Sequence, residues 1–130
     1  MTKIAAAMKH HDTQREPARD VLARIEAELC DIARAIDRNQ AVIASAAAGL
    51  PNVAPSVLCA VQEADLLSQK VAGIADFIAA CRDGLPRDLD IDAGAALAGV
   101  KLAGLRRRLA STDGSALADA DTDFGDCDLF

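Results

Sequence analysis

Three features of this 130-residue sequence predict an all-α fold built on a long antiparallel helical hairpin. Alanine supplies 29 residues, and alanine loses least on entering a helix. Aromatic residues make up 2% of a chain that is 52% hydrophobic, and β-branched residues are few, so a sheet has little to build with. Apolar residues recur at alternating intervals of three and four over two long stretches, each closed by a Gly-Leu-Pro triplet.

Residues 1–14 read as a flexible polar arm. The first helix is expected to open near Arg15 or Pro17, because proline suits the first helical turn, and to run to about Ala48. Along it Leu22, Ile25, Leu29, Ile32, Ile36, Asn39 and Ile43 form an a/d seam. Its one polar member, Asn39, is the kind of residue that fixes register or dimerisation. Gly49 then offers a left-handed cap, Leu50 can fold back on the last turn, and Pro51 blocks continuation.

The second helix is expected from Pro55 to about Arg82, with Val57, Ala60, Ala64, Leu67, Val71, Ile74, Ile78 and Cys81 as its seam. Gly84-Leu85-Pro86 repeats the first ending. A shorter third helix is expected from about Asp92 to Ala110, with Ala95, Ala98, Leu102, Leu105 and Leu109 on one face. Gly94, Gly99 and Gly104 each lower its propensity by up to about 1 kcal/mol, so packing must hold it. Residues 113–130 contain six Asp and no Lys or Arg, the composition of an acidic tail that is disordered in isolation.

The domain plan is therefore an arm (1–14), a helical unit (15–110) and a tail (111–130). Two helices of about 30 residues are each about 45 Å long, and the short loop between them makes an antiparallel pair. Such a pair cannot cover its own apolar surface, and the third helix is too short to cover the rest. Leu58, Val61, Leu66 and Phe77 lie off the second seam and need partners. A dimer whose hairpins form a four-helix bundle is the economical solution.

The net charge of −6 disfavours nucleic acid and anionic membrane surfaces as partners. No apolar run approaches the roughly 20 residues of a spanning helix, and the N-terminal run is short for a signal peptide, so a cytoplasmic protein is expected. Cys30, Cys59, Cys81 and Cys127 are too far apart for a zinc site, and His10 and His11 are remote from all of them. They read as free thiols behaving as small hydrophobes. No metal site, phosphate loop or nucleophile elbow is present, so no cofactor of its own is expected.

The segment Val61-Gln62-Glu63-Ala64-Asp65-Leu66-Leu67-Ser68-Gln69-Lys70 carries the leading candidate site. Asp65 and Gln69 stand four apart and project side by side from one outward helix face. Asp65-Leu66-Leu67-Ser68-Gln69 resembles the Asp-x-x-x-Gln signature of the CheZ family, which dephosphorylates the chemotaxis regulator CheY. Members of that family are long hairpins dimerised into four-helix bundles, with a C-terminal peptide that docks the regulator. The resemblance implies a protein-aspartyl-phosphate phosphatase. Gln69 would orient the attacking water, and Asp65 would pair with the regulator's lysine and anchor the complex. Gln62, Glu63 and Lys70 would make rim contacts, and the regulator would supply Mg²⁺. This chain is shorter than the family pattern, and its third helix follows the hairpin closely.

A second candidate is the terminus, where Phe124, Asp126, Asp128, Leu129 and Phe130 combine steering charge with an apolar end that can insert into a partner. It opens an alternative of another class, a non-catalytic helical adaptor that recruits a partner through its tail. An acidic tail ending in Phe also resembles the partner-recruiting tip of single-stranded-DNA-binding proteins, but no OB-type strand pattern precedes it. His10-His11 invites a histidine phosphotransfer reading, although a relay histidine belongs mid-helix and these lie in the arm. Arg106-Arg107-Arg108, with Lys101, suits the C-terminal dipole of the third helix and can attract the acidic tail.

Overall fold

A computed structural model describes residues 15–110. The elements run β1 (Arg15–Pro17), α1 (Ala18–Ala48), α2 (Pro55–Gly84), β2 (Asp90–Asp92), α3 (Ala93–Leu97) and α4 (Ala103–Leu109). The two long helices pack together along the chain. Glu26 meets Arg82, Ala33 meets Ser68, and Gln40 meets Val61. Numbers rise on α1 as they fall on α2, so the pair is antiparallel as expected.

Both helix starts follow the prolines. Pro17 precedes α1 with φ −56° and ψ 128°, and Pro55 opens α2. No side chain caps α1, but the Ala18 N–H, one of the donors a helix start leaves without a partner, donates to the Leu89 carbonyl at 2.8 Å. Both ends close by tightened turns, Leu50 N–H to the Ala47 carbonyl at 3.0 Å and Leu85 N–H to the Arg82 carbonyl at 3.1 Å. The left-handed caps expected at Gly49 and Gly84 are not used. Gly49 keeps φ −83° and ψ −2°, and Leu85 is already extended at ψ 144°. Each chain leaves its helix through an i→i+3 turn and meets a proline, so no left-handed residue is required. Leu50 stays 61% exposed instead of folding back.

The expected third helix is two short ones. The glycines at 94, 99 and 104 and a stretch with little to pack on leave a break over residues 98–102. Asp92 caps α3 by accepting from the Gly94 N–H at 3.0 Å. Arg106 Nε and Nη2 both donate to the Val100 carbonyl across the break. The short antiparallel ladder between β1 and β2 (Arg15↔Asp92, Glu16↔Ile91, Pro17↔Asp90) was not expected from the sequence.

Among the described residues the buried positions are small or polar: Ala18, Ala33, Ala75, Ala93, Glu16, Glu28 and Ser68. The hairpin contact is a row at seven-residue spacing, Glu26, Ala33 and Gln40 on α1 against Val61, Ser68, Ala75 and Arg82 on α2. Each of these residues comes one position after a d residue of the predicted seams. One residue is about 100° of helix rotation, so the seams do not point at each other. Because the helices are antiparallel, both seams turn to the same side of the hairpin. There Ile32, Ile43, Leu67 and Ile74 are 44%, 48%, 52% and 51% exposed, and Asn39 is exposed among them.

Candidate functional site

Asp65 and Gln69 lie near the middle of α2, both exposed, and Gln69 Nε2 donates to Asp65 Oδ2 at 2.8 Å. The four-residue spacing places them one above the other on the helix surface. An amide has two N–H donors and a carbonyl acceptor, so this tether uses part of Gln69's capacity. The remaining donor and the acceptor can address a molecule from outside.

The residue next to Gln69 holds the helix in place. Ser68 is buried, donates from Oγ to Asp37 Oδ1 at 2.6 Å, and lies 3.3 Å from the Ala33 carbonyl. Two turns earlier, Gln40 Nε2 donates to the Val61 carbonyl at 3.0 Å. The segment 61–68 is thus fastened to α1, while Gln69, one residue on, projects about 100° around the helix from that contact. The sequence motif contains Ser68 only as a spacer, and its fastening role was missed. A heptad row of small and polar residues was the available signal.

The other predicted contacts divide by face. Gln62 falls on one exposed row with Leu66, Gln69, Gly73 and Phe77, at intervals of four, three, four and four. Glu63 and Lys70, seven apart, are exposed on the opposite flank of that row. Phe124, Asp126, Asp128, Leu129 and Phe130 lie outside the described residues, as do His10, His11 and Cys127. Cys59 and Cys81 are exposed free thiols and Cys30 is half-buried, so the first two are not packed as core residues.

The buried charges serve the scaffold. Arg24 donates through Nη2 to Glu16 Oε2 at 2.5 Å and through Nε to the Leu109 carbonyl at 2.9 Å. Arg108 Nε donates to Glu28 Oε1 at 2.8 Å, and Arg82 pairs with Glu26. These pairs fasten β1 and α4 to the start of α1 and close the far end of the hairpin. Both buried carboxylates, Glu16 and Glu28, have an arginine partner, as burial of charge requires. Arg108 stands in the last turn of α4, where the helix dipole favours it, and its guanidinium also reaches across to Glu28. Elsewhere, the hydrogen bond to Asp31 and then its negative charge raise the Arg34 pKa on the exposed side of α1.

Among the described residues no group of three or more His, Cys, Asp or Glu side chains forms a metal site. An exposed carboxylate–amide pair does not activate a nucleophile alone, but it can orient a water molecule or bind a cation in a partner's site. No helix is long and apolar enough to cross a membrane, a statement that covers the described residues. No curated protein and no solved structure matches the chain. The model of a domain of unknown function, DUF8776, matches residues 14–130, and the chain belongs to that family.

Proposed function

We propose that this chain is a cytoplasmic phosphatase for a phospho-aspartyl response regulator of CheY type, acting as a homodimeric four-helix bundle. The observation that carries the reading is the exposed Gln69 amide, held 2.8 Å from Asp65 on a helix fastened to its neighbour, on the side turned away from the apolar seams. The regulator holds the acyl phosphate and supplies Mg²⁺. Gln69 accepts from and donates to one water, aligning its oxygen in line with the phosphorus. The water oxygen–phosphorus bond forms as the acyl oxygen–phosphorus bond breaks. The electron pair leaves on the regulator's carboxylate, and inorganic phosphate carries away the water's oxygen together with its two protons. Asp65 faces the regulator's lysine and fixes the angle of approach.

The direction in which the seams point supports the homodimer. In a two-helix pair each seam faces its partner, but in a four-helix bundle each seam faces a shared axis and adjacent helices touch beside it. What supports the second arrangement is the burial of Ala33, Ser68 and Ala75 beside the seams, with Ile32, Ile43, Leu67 and Ile74 left open. The open face, about 45 Å long and about 20 Å wide, has a footprint near 900 Å², comparable with the roughly 800 Å² per partner of a stable interface. A second copy presents the same face and satisfies it by two-fold symmetry.

The test is phosphate release from a CheY-like receiver charged with acetyl phosphate. Gln69→Ala is expected to lose about a hundredfold of the acceleration while binding stays intact. A Gln69→Ala chain with full acceleration overturns the reading. Association that survives Gln69→Ala but vanishes without Leu129 and Phe130, with no effect of the chain on phosphate lifetime, supports the adaptor instead.

A further inference from the structure

Gly73 is a glycine where the fold asks for none. It sits exposed in the middle of α2, in a chain with 29 alanines, and a Cβ there would meet nothing within 4 Å. Glycine weakens a helix interior relative to alanine, and nothing within the hairpin compensates for it. The missing side chain therefore matters to something outside the hairpin.

The neighbours on its row say what. Leu66 and Phe77, 52% and 68% exposed, stand on either side of Gly73 and about 16 Å apart along the helix. Gln69 lies one turn before Gly73, about 6 Å away. The row is thus an apolar ridge with a notch in it, and Gln69 stands at the edge of the notch. It faces away from α1 and from the seam side, so a second copy on that side leaves it open. Asp65 and Asp76, both exposed, flank it. Of the two basic residues in α2, Arg82 is engaged by Glu26, which leaves Lys70 against Glu63, Asp65 and Asp76.

We infer that Leu66, Gly73 and Phe77 form the docking surface for the phosphorylated receiver, an inference that rests on the phosphatase reading. The receiver's backbone beside its acyl phosphate crosses α2 at the Gly73 notch. Apolar receiver side chains seat against Leu66 and Phe77, and basic ones face Asp65 and Asp76. Crossing at the notch brings the acyl phosphate to the Gln69 amide. A methyl group at position 73 holds the partner off, and a displacement of about 1 Å is enough to cost a positioned reaction about a hundredfold.

The test uses the full chain and a CheY-like receiver charged with acetyl phosphate, with kcat, KM and Tm measured for each variant. Gly73→Ala is expected to raise Tm by about 4–8 °C while kcat/KM falls at least about tenfold. Phe77→Ala is expected to raise KM about tenfold and leave kcat unchanged, because a docking contact is made equally in the ground and transition states. Opposite signs on stability and activity are what a purely structural glycine does not give. If the wild-type chain accelerates phosphate loss and both variants match it, the docking surface is wrong and the phosphatase reading stands. If Gly73→Ala lowers Tm along with activity, the glycine belongs to the fold and the inference fails. If the wild-type chain leaves the phosphate lifetime unchanged, the phosphatase reading fails and this inference with it.

Discussion

Ala75→Leu tests the hairpin contact directly. Ala75 is 1% exposed and lies on the contact row of α2, where the side chains between the long helices are small. Leucine adds three carbon atoms where the neighbouring helix leaves no room. Overpacking of this kind costs about 1–3 kcal/mol, and the difference in helix propensity between Ala and Leu is too small to matter. At roughly 4–8 °C per kcal/mol for a unit of this size, Tm should fall by about 10 °C. The assay is helical circular dichroism during heating at fixed chain concentration, since association would shift Tm by mass action. The control is Ala80→Leu, five residues on and exposed, which should move Tm by less than the equivalent of about 0.5 kcal/mol. A Tm for Ala75→Leu equal to or above that of the control would refute the small-residue contact between α1 and α2.

Arg108→Ala removes the partner of the buried Glu28 and should cost about 1–3 kcal/mol, read as a lower urea midpoint at unchanged slope; exposed Arg107→Ala should leave the midpoint in place. Ser68→Ala deletes the hydroxyl that reaches Asp37 and should cost about 1 kcal/mol in the same titration. Sedimentation of the full chain should give twice the 13.5 kDa of one copy, with Ile32→Glu and Leu67→Glu reducing it to one copy and Leu66→Glu without effect. In the unmutated dimer a thiol reagent should modify Cys59 several-fold faster than Cys81, since both are exposed in the single hairpin and only Cys81 lies on the seam. Equal rates in a 2 × 13.5 kDa species would place the interface on another face.

The helix limits were legible because their causes are local. Pro17, Pro55 and the two Gly-Leu-Pro triplets act on the residues beside them, and α1 and α2 start and stop there. The pairing of Asp65 with Gln69 was legible for the same reason, since four residues of helix bring two side chains together whatever surrounds them. The side toward which the seams turn was not. Glu26, Ala33 and Gln40 alternate in polarity and size, so no apolar signal announces that they face α2. Ser68 illustrates the limit within the site itself: one position from Gln69, its burial depends on α1, more than thirty residues away in the chain. The split of the third helix and the ladder between β1 and β2 likewise depend on distant partners, which periodicity does not record.

The ladder of three residues in β1 on three in β2 has a consequence for the order of assembly. The α1–α2 hairpin closes through a short connection, and its first contacts need little loop entropy. Joining Arg15 to Asp92 closes more than seventy residues into a ring for a few hydrogen bonds, so the clasp zips after the rods have met. It is also the joint that opens at least cost, and the Ala18 amide on Leu89 should exchange its proton long before the middle of either rod. A chain clipped there would keep its two rods side by side and lose the strap that ties α3 to the start of α1.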